Sequence, residues 1–294
     1  MVPGVDITPL DFATKATFAP AAIVLVALGV GWYLWSVRRL AARGMEWPAP
    51  RTAAFLVAQL ALVVAWISGL AAYVDTNFSI SSIQHILIGM VAPILLAFSA
   101  PVTLARQASG TRVRTTIEKV VESPTARILS QPAVTWPIYG FSFFVLYLSP
   151  LYAYTLHHDL VRLLVNLGTL VVGCMFFWPP IGVDRLGKAM GYWLRMLYFI
   201  LLLPCHTILG MTLESQSTRI APGIGLTDLH TGGGLLWVAG EATGLLGAIA
   251  VFVGWLRRDE RAAERNDQMD EASAAAALAH WRATREAAAR AASR

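Results

Sequence analysis

A chain of 294 residues that is 56% hydrophobic and only 14% charged is too apolar for a soluble domain of its length. Its net charge of +5 comes mostly from arginines in short segments between apolar runs, so it reads as membrane topology and excludes a nucleic-acid-binding surface as its explanation. The runs lack period-2 alternation, which excludes a β-barrel and leaves helices.

Residues 1–19 read as a short extracytoplasmic tail without a basic n-region, so no cleavable signal peptide is evident. The first apolar run is expected to act as the insertion signal. Seven runs follow, at 20–40, 52–72, 80–100, 133–149, 160–178, 191–211 and 231–255, each near the roughly 20 residues that cross a bilayer as a helix. Arg38, Arg39, Arg43 and Arg51 lie between the first two; Arg106, Arg112, Arg114, Lys119 and Arg127 lie between the third and fourth. Arg185 and Lys188 follow the fifth, and Arg257, Arg258 and Arg261 follow the last. The opposite loops, 73–79, 150–159 and 212–230, carry Arg219 as their sole arginine. The positive-inside rule then puts the N-terminus outside and the C-terminus in the cytoplasm. The expected fold is an all-α polytopic membrane protein: a seven-helix bundle over 20–256 and a charged, Ala/Arg/Glu-rich cytoplasmic tail over 257–294.

All the histidines except His280 fall on the extracytoplasmic side. His85 lies roughly 8 Å below the outer surface of the third span, one turn after Ser81 and Ser82, with Met90 deeper. His157 and His158 are expected to begin the fifth helix, and His158, Arg162 and Asn166 recur every fourth residue as a polar stripe that must face a wet or protein-lined interior. His206 lies in the outer third of the sixth helix beside Cys205, with Pro204 expected to kink that helix and Met211 off its face. Cys174 and Cys205 differ in depth by roughly 15 Å, too far for a disulfide. The last helix opens with Asp228 and His230, and Glu241 falls near the bilayer midplane on the face of His230, Gly234 and Trp237. An intramembrane carboxylate must be protonated, paired or hydrated; Arg162, Asn166, Arg195 and trapped water are the available partners. Each of these polar residues has a structural reading, as part of a hydrogen-bond network, beside its ligand reading.

Four segments in order, 78–101 (FSISSIQHILIGMVAPILLAFSAP), 173–184 (GCMFFWPPIGVD), 203–210 (LPCHTILG) and 228–241 (DLHTGGGLLWVAGE), resemble the CtaG-type cytochrome c oxidase assembly proteins, seven-helix bacterial membrane proteins linked to copper-site maturation. Positions matching His85, His206, Asp228 and Glu241 carry over from that family. Other positions depart: Ser81 stands where a second histidine is usual, Ser82 and Ile86 where methionines are common, and Arg162, Asn166 and Gly168 where the fifth helix usually carries histidines. The resemblance implies a non-enzymatic assembly factor in the bacterial plasma membrane, working with oxidase subunits or a respiratory supercomplex among the membrane lipids. It implies copper as the metal, with His85, His206, His157, His158, Met90 and Met211 as the candidate ligands and Asp228 and Glu241 as further binding residues. Two other classes remain open. A copper transporter or entry protein would line its path with Glu241, Arg162 and Asn166; a haem or quinone protein would use His85 and His206 as axial ligands. A retinal protein is excluded, because Lys15, Lys119 and Lys188 all lie outside the spans. No organised nucleophile and base points to an enzyme.

Overall fold

Long apolar runs close their own backbone hydrogen bonds as helices, and helices are the regular structure found among the described residues. A computed structural model describes residues 20–184 and 190–292. The expected tail at 1–19, with Lys15, and the loop cations Arg185 and Lys188 lie outside the described residues. So do the side chains of Arg257, Arg258, Arg261 and His280.

Helix α1 covers Pro20–Ala41. Helix α2 (Ala49–Trp66) and the short α3 (Gly69–Tyr73) form one rod of 25 residues. The third rod, of 31 residues, is built from α4 (Phe78–Ile86), a π-helical turn at Leu87–Val91, α5 (Ala92–Ser99) and α6 (Pro101–Ala108). It extends past the expected 80–100 because it turns a corner at Ala100, which is fully buried and held at φ 50. A non-glycine residue pays for that left-handed conformation in steric strain, so the surroundings must impose it. The amphipathic α7 (Thr111–Val121) and short α8 (Pro124–Leu129) lead to α9 (Pro132–Leu148). Helix α10 (Leu151–Thr155) precedes α11 (Asp159–Ile181). Next come α12 (Tyr192–Ile200), α13 (Leu202–Glu214) and α14 (Leu226–Ala292). Prolines start several of these helices, at Pro101, Pro124 and Pro132 among others, where their missing N–H has no partner to lose.

Among the described residues six helical rods are long and apolar enough to cross a membrane, and α9 is apolar but shorter, at 17 residues. At 1.5 Å per residue α9 is roughly 25 Å long. Two expected boundaries shift. Residues 191–211 are two helices broken at Leu201, because Pro204 cannot bond the carbonyl of Ile200. The last helix does not stop at 255 but runs 67 residues without a break, since the tail's Ala, Glu and Arg are strong helix formers.

Packing centres on aromatic side chains. Phe78, Tyr139, Phe143, Tyr147, Phe176 and Phe177 are buried together where α4, α9 and α11 meet, with Tyr139 stacked on Phe176 at 4.1 Å. Large apolar side chains on the outer faces, such as Leu28, Leu60, Phe141 and Leu246, stay exposed, a surface that lipid accepts and water penalises. Helix α14 packs most extensively on α13 and also meets α4 and α12, which brings the residues after Asp228 against both histidine-bearing helices.

Candidate functional site

Proline chemistry shapes both histidine-bearing rods. Pro93 has no N–H for the carbonyl of Gly89 one turn earlier, and the chain answers with the π-helical turn just beyond His85. The freed Gly89 oxygen takes a long hydrogen bond from the Tyr139 hydroxyl at 3.4 Å. Helix α11 seats its backbone on the same atom: a Cβ on Gly173 would come within 2.5 Å of it. On α13, the His206 Nδ1 lies 3.2 Å from the Leu202 carbonyl oxygen. A carbonyl can only accept, so Nδ1 carries the proton and Nε2 presents its lone pair. That Nε2 is buried and has no hydrogen-bond partner. The Nε2 of His85 is in the same condition.

The two imidazoles share one neighbour. The ring of Phe143 on α9 lies 4.6 Å from the His85 ring and 5.0 Å from the His206 ring, centroid to centroid. The imidazole centroids are therefore no farther apart than those two distances laid end to end. Tyr147 closes in on His85 at 5.5 Å and Tyr139 on His206 at 6.3 Å. Behind His206, α14 approaches so closely that a Cβ on Gly240 would overlap the imidazole ring. Only glycine permits that contact.

A narrow cleft with room for only about 30 Å³ leads from His85 to the polar stripe, lined by Ser81, Gln84, Tyr152, Arg162 and Asn166 among others. Arg162 lies across it, with Nη1 2.8 Å from Asp75 and Nη2 3.2 Å from Asp159. Burial pushes the Tyr152 hydroxyl up to about 12, so it stays neutral.

The remaining site residues are placed unevenly. His158 is the N-cap of α11, its carbonyl accepting from the Arg162 N–H at 3.0 Å, and His157 precedes it; both are exposed, neither lines the cleft, and the His158 ring packs on Tyr154 at 4.0 Å. Met90 is buried and accepts from the Thr243 hydroxyl at 3.8 Å, whereas Met211 is 57% exposed. Glu241 meets a neighbouring helix through Thr207 of α13, whose hydroxyl donates to its Oε1, and takes a second bond from the Trp237 indole at 3.1 Å. Arg162 and Asn166 are not its partners: Arg162 is held by the two aspartates, and Thr207, beside His206, reaches Glu241 first. Both cysteines are free thiols, and Cys205 lies against the Gly140 carbonyl at 3.7 Å.

Asp228 belongs to the start of the third rod. Its carboxylate accepts from the backbone N–H of Phe78 and Ser79 and from the Ser79 hydroxyl, closing the first turn of α4 from another helix. Asp184, not singled out from the sequence, does the same for α6. It accepts from the N–H of Val102 at 3.0 Å and of Thr103 at 2.7 Å, from the Thr103 hydroxyl at 2.5 Å, and from the Trp178 indole at 3.2 Å. The Ala100 corner is thus gripped from one side by Asp184, while Tyr33 donates to the Ser99 carbonyl at 2.9 Å from the other. Phe143 and Thr207 also escaped sequence reading; Thr207 had a signal in its place beside His206, but Phe143 is one aromatic among many. Among the described residues no group of three or more His, Cys, Asp or Glu has the geometry to hold a metal ion.

The sequence profile of the family described as cytochrome c oxidase caa3 assembly factor (Caa3_CtaG) matches residues 31–258. An uncharacterized protein of Mycobacterium bovis and one of Mycobacterium tuberculosis are each 28% identical over 266 residues, covering 84% of this chain and 40% of theirs. An uncharacterized protein of Mycobacterium leprae is 26% identical over 261 residues, 83% of this chain and 40% of its own. The chain therefore spans about 40% of the length of the curated relatives it matches. No solved structure matches.

Proposed function

This chain belongs to the family of cytochrome c oxidase caa3 assembly factors, and on that premise we propose that it assists oxidase assembly in the bacterial plasma membrane without acting as an enzyme. Its partners are oxidase subunits, alone or within a respiratory supercomplex. Helix α9 completes a seven-helix bundle over 20–256, with the N-terminal tail 1–19 outside and 257–294 on the cytoplasmic side. The asymmetry of the arginine loops supports that orientation. Reporter fusions after Arg114 and Arg258 should read cytoplasmic and one after Pro222 extracytoplasmic; the reverse pattern inverts the protein and removes the access route described next.

The handled substrate in this reading is Cu(I). The observation that carries it is the pair of buried, partnerless Nε2 atoms on His85 and His206, both against Phe143. Imidazole suits copper, and a buried nitrogen with an open lone pair gains from a ligand what it loses by leaving water. Two imidazole donors fit cargo that must be released better than a permanently held ion. His157, His158 and Met211 are exposed, so their part in this reading is reception at the surface, not closure of the inner site. The cleft past Arg162 supplies the approach from outside. Glu241 holds Thr207, and through it the α13 turn that carries His206.

The test is Cu(I) uptake by protein purified under reducing conditions, in competition with a coloured chelator. His85→Ala and His206→Ala should each abolish uptake and lower the amount of mature oxidase in cells. Uptake unchanged in both variants ends the copper reading. Oxidase maturation unchanged in both, at normal protein abundance, would leave a scaffold role in its place.

A further inference from the structure

At the end of the bundle opposite His85, a groove of about 460 Å³ opens between α5, α11, α12 and α14. Its walls are apolar, with Ile94, Phe98, Phe199, Leu246 and Ala250 along their length, and Phe98 and Leu246 are 48% and 65% exposed. One cation stands in it. Arg195 lies a turn inside the start of α12, so roughly 5 Å from the helix end. No lining residue is acidic, and none of the ion pairs among the described residues includes Arg195. Its Nε is buried without a hydrogen-bond partner.

The guanidinium has a built seat. It packs against Gly182, the left-handed residue that closes α11: a Cβ there would lie 3.0 Å from Nη2. Its other side faces the Tyr192 ring, 5.8 Å from the centroid. Asp184, two residues past Gly182, is taken up by α6 and Trp178. At the same level Trp193 and Trp255 pack at 5.8 Å, an aromatic pair of the kind that marks a membrane interface. A fixed, unneutralised guanidinium at the interface, above a long apolar trough open to the side, matches one chemistry: a negatively charged headgroup carried on acyl chains. A neutral quinone leaves the cation unused, and a free anion leaves the trough unused.

We propose that this groove binds an anionic diacyl phospholipid, with its phosphate paired to Arg195 and an acyl chain lying along Phe199, Phe98 and Leu246. The inference is independent of the copper reading, since it involves neither histidine. The site ties α12 to α11 and α14 through a molecule of the bilayer, so lipid composition would set how firmly the base of the bundle closes.

The test uses the full chain, delipidated in detergent and followed by native mass spectrometry. The probes are dioleoyl phosphatidylglycerol, dioleoyl phosphatidylcholine and inorganic phosphate. Wild type should retain phosphatidylglycerol in preference to phosphatidylcholine, and Arg195→Gln should weaken that binding about tenfold, as loss of one charge-assisted pair does. Ala250→Trp fills the trough while keeping the cation and should weaken it as well. Arg114→Gln, at an exposed arginine paired to Glu118 on α7, should change nothing. Melting temperatures without added lipid identify which variants are folded, and Arg195→Lys keeps the charge if Arg195→Gln does not fold. Equal retention of the two lipids by wild type, or full phosphatidylglycerol binding by folded Arg195→Gln or Ala250→Trp, overturns the proposal. So does stabilisation by inorganic phosphate alone equal to that by phosphatidylglycerol.

Discussion

Asp228 grips the third rod at its start and Asp184 grips it at the Ala100 corner, and each carboxylate accepts from several donors at the start of a helix, with the Trp178 indole added at Asp184. His85 and His206, within the rods themselves, are the opposite case, with a buried nitrogen each and no partner for it. The contrast separates polar groups that hold the bundle from polar groups whose buried atom has no hydrogen-bond partner. A buried donor or acceptor left unpaired costs about 1–3 kcal/mol.

The contrast predicts opposite responses to substitution. Asp184→Ala should have the largest effect, about 3 kcal/mol or more, because several buried donors lose one acceptor and the strained Ala100 corner loses its grip. Thermal unfolding in detergent and protein abundance measure it; a shift near zero would mean the corner is held by Tyr33 alone. Asp228→Ala should cost less, about 2 kcal/mol, since its carboxylate is only partly buried and water can reach the first turn of α4. The smallest stability effect belongs to His85→Leu and His206→Leu. Replacing an imidazole whose buried Nε2 is unpaired with an apolar side chain removes that orphan, so stability should stay within about 1 kcal/mol of wild type or rise, less so for His206, whose Nδ1 bond to the Leu202 carbonyl is lost. If either leucine variant unfolds the protein, that imidazole belongs with the aspartates as a structural group. If both are stable yet fail to mature oxidase, the contrast sharpens into a division of labour.

How much of this was legible in the chain depends on the distance between the groups involved. His206 and Glu241 stood out as polar residues within apolar runs, and the bond from Trp237 to Glu241 follows from a spacing of four on one helix. Pro204 announced the break at Leu201. The corner at Ala100 was hidden, because Ser99, Ala100 and Pro101 read as the plain end of an apolar run, and only Asp184 and Tyr33 make the turn a buried feature. His157 and His158 read from the sequence as further candidate ligands beside His85 and His206, yet they lie exposed at the N-terminal edge of α11, with His158 as its N-cap.

Hydropathy and arginine placement by themselves determined that this chain is a helical membrane protein, because a run of apolar residues must satisfy its own backbone wherever it lies. Family membership was likewise readable from four short segments. Tertiary structure alone decided that Asp228 caps a helix 150 residues earlier, that Thr207 reaches Glu241 before any arginine does, and that Phe143 brings two histidines to one place. Those outcomes depend on which faces of separate helices meet and how closely glycine lets them approach. Helix periodicity specifies a face but not its partner.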